Sequence, residues 1–125
     1  MDKAAVLTEY FGHAAFRPGQ EALVDAILQG RDALGVMPTG GGKSLCYQVP
    51  ALLLPGLTLV VSPLIALMKD QVAALTAAGV PAAFINSSLT GPQMQEAYAG
   101  VRRGAYKLLY VAPERLEAPG FAQLL

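Results

Sequence analysis

The sequence has one cysteine, Cys46, so it can form no internal disulfide and no thiolate cluster for zinc. That suits a reducing cytoplasm. It also lacks an excess of charge: nine Lys and Arg balance nine Asp and Glu, a net charge of zero. A strongly basic nucleic-acid-binding module is thereby excluded, and any contact with nucleic acid has to be local or made by other residues. Met1-Asp2-Lys3 opens without the basic-then-apolar pattern of a signal peptide, so none is expected. There is no internal repeat and no low-complexity linker, and 125 residues suffice for one domain at most.

Charge is missing altogether from Ser44 to Met68, a stretch long enough to cross a bilayer. Pro50, Pro55-Gly56 and Ser62-Pro63 fall inside it. A spanning helix must satisfy its own backbone, and Pro-Gly in its middle leaves polar groups open to lipid. The stretch therefore reads as a helix, a turn, a buried strand and a new helix start.

What remains is an alternation of helix and strand signals. Asp2 is a suitable N-cap for a first helix ending near Phe11-Gly12. Pro18 marks a second helix start, with Leu23, Val24, Ile27 and Leu28 on one face and Gly30 as its stop. Ala33–Met37 reads as a buried strand. Lys43–Leu54 is a helix that Pro50 should kink or shorten. Leu57–Val61 is apolar and β-branched, the pattern of a strand covered on both faces. Leu64–Ala78 is the strongest helix, closed by Gly79 and Pro81. Ala82–Ile85 is a short strand, Gly91 to about Arg103 a helix, Leu108–Val111 a strand, and Pro113–Leu116 a turn. Such alternation argues for α/β architecture, a parallel sheet with helices on both faces and ligands at the carboxyl ends of its strands. Pro38–Ser44, Ser62-Pro63 and Ala112–Arg115 each follow a strand signal, so they should share that edge.

The first of these segments carries recognisable chemistry. Met37-Pro38-Thr39-Gly40-Gly41-Gly42-Lys43-Ser44 lies between a strand signal and a helix signal, the setting of a phosphate-binding loop. Glycines let successive N–H groups turn toward an anion, and the helix N-terminus adds partial positive charge. Lys43 should reach the β- and γ-phosphates and serve catalysis, while the Ser44 hydroxyl should ligate Mg²⁺. The general pattern begins with Gly, where this sequence has Met37.

Residues 37–48, Met-Pro-Thr-Gly-Gly-Gly-Lys-Ser-Leu-Cys-Tyr-Gln, strongly resemble motif I of RecQ-type DNA helicases, in which Met at the first position is usual. Leu7, Phe11-Gly12, Phe16-Arg17 and Gln20 match the family's motif 0. The resemblance implies that Gln20 hydrogen-bonds adenine while Arg17 and His13 stack on its faces. A side-chain amide can pair with adenine's donor and acceptor, and a guanidinium stacks on flat rings. Residues Val61 to Val72 resemble motif Ia, which implies that Ser62, Pro63 and Leu64 meet the backbone of a DNA strand. On the residues alone, Ser62 reads as a helix cap. Residues Tyr110 to Leu116 resemble motif Ib, making Pro113, Glu114 and Arg115 further DNA contacts. On the residues alone they read as a strand-ending turn held by a Glu–Arg pair.

The resemblance implies a three-layer RecA-like P-loop NTPase fold with a mainly parallel sheet. The 125 residues would be the N-terminal part of its first helicase domain. It further implies an ATP-dependent DNA helicase of RecQ type, moving 3′ to 5′ on single-stranded DNA in repair or recombination. Its cofactors would be ATP and Mg²⁺, its partners single-stranded and duplex DNA without a membrane, its place the cytoplasm near the nucleoid. No Asp-Glu pair follows an apolar strand here, whereas the family has Asp-Glu-Ala-His and a second RecA-like domain. These residues are thus expected to bind nucleotide without hydrolysing it. Two other readings stand beside this one: another superfamily 2 translocase, or a non-catalytic nucleotide- or strand-binding module.

Overall fold

The computed structural model describes residues 1–37 and 42–125. Where the length pointed to one domain, they divide into two units, Met1–Pro55 and Gly56–Leu125.

The first unit is built from helices α1 (Lys3–Phe11), α2 (Gln20–Leu28) and α3 (Leu45–Leu53). The Asp2 carboxylate accepts from the Ala5 N–H at 2.9 Å and so caps α1. Gly12 ends the helix in the left-handed conformation, φ 72°, with its N–H turned back to Leu7 and Thr8. Val6 and Leu7 of α1, Val24 of α2 and Val49 of α3 form the core. Burying each of these side chains is worth about 1.5–3 kcal/mol. Lys3 bridges α1 to α2, its ammonium 2.6 Å from Asp25 and 3.0 Å from Glu21.

Pro50 does not shorten α3; it sits inside the helix and is buried. It removes one backbone donor, and Val49 and Ala51 on either side are buried with it. The expectation for Ala33–Met37 is corrected. These residues belong to no strand, and Leu34 and Val36 are each 90% exposed. Apolar, β-branched composition reports an appetite for burial, but a strand exists only through a neighbouring ladder. No described residue supplies that ladder.

The second unit holds strands β1 (Thr58–Val61), β2 (Ala82–Ile85) and β3 (Leu108–Val111), with helices α4 (Ile65–Ala77), α5 (Gly91–Arg102) and α6 (Phe121–Leu124). The strands are parallel in the order β1-β3-β2, so the last in sequence is the central one. All four residues of β3 are buried. Ala83, Ile85, Leu109 and Val111 project from one face and pack with Ala97 of α5 and Phe121 of α6. The alternate residues Leu108 and Tyr110 are buried as well, and α4 lies against β2. β1 is not the strand covered on both faces that its composition suggests. It is an edge strand, half-buried at Thr58–Val60 and exposed at Val61. Thr90 starts α5 with a capping box: its hydroxyl accepts from Gln93 N–H, and the Gln93 side chain accepts from Thr90 N–H. The short α6 has no counterpart among the expected elements. Among the described residues no helix is long and apolar enough to cross a membrane.

Candidate functional site

Within the first unit, Gly42-Lys43-Ser44 leads directly into α3. Gly42 is left-handed, with φ 77°. Its carbonyl accepts from Leu45 N–H at 3.2 Å, and the Lys43 carbonyl accepts from Cys46 N–H at 3.1 Å. The helical bonding pattern thus begins at these residues. A helix start presents N–H groups without intrahelical partners together with partial positive charge, which is what an anion requires. Lys43 is exposed and Ser44 half-buried. Pro38, Thr39, Gly40 and Gly41 lie outside the described residues. Behind the loop residues, burial pushes the Cys46 thiol pKa up, which keeps it neutral and unreactive.

Gln20, the residue expected to read adenine, is only 1% exposed. It opens α2, and its amide is engaged at both ends. The side-chain carbonyl accepts from Arg17 N–H at 2.7 Å, and the side-chain NH₂ donates to the Gly42 carbonyl at 3.0 Å. One side chain therefore joins the α1–α2 connection to the head of α3, bringing Gln20, Arg17 and Gly42 together. Gly42 permits this contact twice over, by its positive φ and because a Cβ there would collide with the Gln20 amide nitrogen. Arg17 and His13 are exposed in the same connection. His13 is fixed there through its backbone, donating to Leu7 O at 3.3 Å and accepting from Thr8 Oγ1 at 3.0 Å.

In the second unit, Val61 and Ile85 both pair with Val111, so the carboxyl ends of the three strands are level. Ser62 follows β1; its N–H donates to Val111 O at 3.0 Å, and its hydroxyl oxygen accepts from Leu64 N–H at 3.2 Å. The hydroxyl thus caps the turn into α4, and that bond uses a lone pair, not its proton. Pro63 and Leu64 are exposed beside it. After β3, Pro113 and Glu114 are exposed in a 3-10 turn, Pro113–Glu117.

The Glu–Arg pair read from composition is not how this turn is held. The Arg115 guanidinium donates instead to the Tyr98 hydroxyl of α5 at 3.1 Å, with its Nε sealed from solvent. Tyr98 also carries Arg102 on its ring face, 5.8 Å from the centroid. The sequence reading also missed the loop after β2. Asn86 is fully buried there, its side-chain carbonyl accepting from Ser88 N–H at 2.8 Å, and its NH₂ lies 3.3 Å from the Met68 sulfur. The signal was available: Asn86-Ser87-Ser88 follows an apolar strand just as Ser62-Pro63 does.

Residues 17–123 match the family model for DEAD/DEAH box helicases. The chain belongs to that family, and its α/β build around a parallel sheet is consistent with a RecA-like helicase domain. Among curated proteins it is similar to ATP-dependent DNA helicase RecQ of Haemophilus influenzae, 54% identical over 97% of this chain and 20% of that protein. RecQ of Bacillus subtilis is 48% identical over 97% of this chain and 21% of its own length. A plant protein, ATP-dependent DNA helicase Q-like 2 of Arabidopsis thaliana, is 44% identical over 85% of this chain and 15% of its own. The chain thus spans about a fifth of the length of the bacterial relatives it matches.

Proposed function

We propose that this chain is the nucleotide-binding part of a RecQ-type, ATP-driven DNA helicase, the N-terminal portion of its first RecA-like domain. The observation that carries the reading is the head of α3, where Gly42, Lys43 and Ser44 lead into the helix and the Gly42 carbonyl accepts from the buried Gln20 amide. The chain is 54% and 48% identical, over 97% of its length, to two proteins named as ATP-dependent DNA helicases. Lys43 would neutralise the β- and γ-phosphates of ATP, and the loop including Pro38, Thr39, Gly40 and Gly41 would wrap them. Ser44 would supply one oxygen to Mg²⁺. Among the described residues no cluster of three His, Cys, Asp or Glu could hold a metal ion. Adenine would be met by Gln20, Arg17 and His13; at 1% exposure the Gln20 amide requires a neighbour to shift before a base can reach it.

Ser62, Pro63 and Leu64, with Pro113, Glu114 and Arg115, would line the path of a DNA strand at the carboxyl edge of the sheet. In that role Arg115 acts mainly by holding its turn on Tyr98. Such contacts address phosphates and carry no sequence information. A cytoplasmic, nucleoid-associated place of action follows from this reading. The 125 residues bind ATP and do not turn it over, because phosphoryl transfer needs positioned charge that no Asp-Glu pair here supplies.

Titration of the chain with ATP, with and without Mg²⁺, should show saturable binding that Lys43→Ala weakens. Phosphate release should stay at background with or without DNA. For the longer protein carrying this chain, a 3′-tailed DNA duplex should be unwound and an RNA duplex of the same sequence should not. Equal unwinding of RNA would instead identify another superfamily 2 translocase, and ATP binding without any unwinding a non-catalytic module.

A further inference from the structure

We infer that Gln20 orients the Gly42–Lys43 peptide at the end of the phosphate loop, so that affinity for phosphate depends on Gln20 even when no base is present. This rests on the nucleotide-site reading above and adds to it a positioning role, exerted on phosphates through Gly42.

The argument begins with the planarity of the peptide unit. In a trans peptide the C=O and the following N–H point in opposite directions. The Gln20 amide and Leu45 N–H together hold the Gly42 carbonyl, at 3.0 and 3.2 Å. Fixing that carbonyl fixes the Lys43 N–H, which must point away from Gln20. The residue so oriented is the one whose ammonium is to meet the phosphates.

Gln20 is itself held. Its side-chain carbonyl is occupied by Arg17 N–H, and it is 1% exposed, so its amide plane cannot rotate freely. Glycine at position 42 is what leaves room for this bond, because a Cβ there would collide with the amide nitrogen. Both polar ends of the carboxamide are thus in use within the protein. The buried amide therefore contributes to phosphate binding before any adenine arrives, by preparing the loop in advance.

The test separates base from phosphate. Calorimetric titrations use inorganic tripolyphosphate with Mg²⁺, which has no base, and MgATP, against the wild-type chain and Gln20→Glu. The variant is isosteric and keeps an acceptor for Arg17 N–H, but its carboxylate cannot donate to Gly42. Affinity for both ligands should fall by about tenfold, the equivalent of one hydrogen bond of this class. As the pH is lowered the variant carboxyl takes up a proton and regains a donor, at a pH that burial raises above the ordinary glutamate range. The variant-to-wild-type affinity ratio for tripolyphosphate should then return toward one. A packing defect independent of the carboxylate's charge would not show that recovery.

A loss confined to ATP, with tripolyphosphate unaffected, would overturn the inference and leave Gln20 as a base reader only. A second arm needs no variant and no ligand. In the free wild-type chain, NMR should find the Gln20 side-chain NH₂ protons exchanging slowly with water, and rapid exchange overturns the inference. If the wild type binds neither ligand, the nucleotide-site reading fails, while the exchange measurement still decides the Gln20–Gly42 bond.

Discussion

The two units handle apolar, strand-like sequence in opposite ways. In Gly56–Leu125, Leu108–Val111 is flanked by two parallel partners and is wholly buried. In Met1–Pro55, Ala33–Met37 has a similar composition, lacks a ladder, and leaves Leu34 and Val36 almost fully exposed. The difference lies in the pairing and not in the residues. An apolar side chain is stabilising only where neighbours remove it from water, and a strand creates those neighbours by hydrogen bonding sideways.

The sharpest way to break this comparison is a matched pair of truncations. Leu109→Ala should cost about 2–5 kcal/mol, since a fully buried leucine leaves a cavity behind. Leu34→Ala should change stability by no more than about 0.5 kcal/mol. Urea unfolding of both variants measures the contrast, and equal effects would refute it. Next in size is Gly100→Ala in α5, whose new methyl group would run into the Tyr106 ring. Overpacking of that kind should cost about 1–3 kcal/mol, read from the same unfolding curves.

Lys43→Ala tests the first unit on function in place of stability. The side chain is exposed, so the unfolding midpoint should not move, while ATP affinity should fall about 10- to 100-fold through the loss of a charged contact. The smallest effect concerns Lys3. The hydrogen bonds it donates to Asp25 and then Glu21 raise its pKa above the ordinary 10.5. A cation stabilised in the folded state contributes fully below its unfolded pKa and loses that contribution as pH rises through the folded one. Lys3→Met should therefore lower the urea midpoint slightly at pH 7–9, and the gap to wild type should close as the pH climbs beyond 10.5.

Much of the second unit was legible in the sequence because its signals are local. Gly91-Pro92 preceded by Thr90 announces a helix start, and Ala82–Ile85 and Leu108–Val111 are strands at the residues expected. What escaped was non-local. Composition cannot say that β1 lies at an edge, because order within a sheet is decided by strands elsewhere in the chain. Gln20 was singled out by the family resemblance and as a reader of adenine, yet its bond to Gly42 spans 22 residues and leaves no pattern at short range. Arg115 was read beside its neighbour Glu114, while its partner Tyr98 lies 17 residues back on another element. The phosphate loop stood out for the contrary reason, since its glycines, lysine and serine are contiguous and their chemistry is local.

The strand order β1-β3-β2 also bears on how the chain is made. β1 and β2 never pair with each other; each waits for β3, which follows Thr58 by 50 residues and Ala82 by 26 in the registered pairs Thr58↔Leu108 and Ala82↔Leu108. A ribosome delivering this polypeptide therefore releases two apolar strands and two helices before any ladder can close. Until Leu108–Val111 emerges, the nascent segment has strand edges and no sheet, the condition in which association with other chains competes with folding. Chaperone demand during synthesis should accordingly peak just before residue 108 and drop once the central strand is in place.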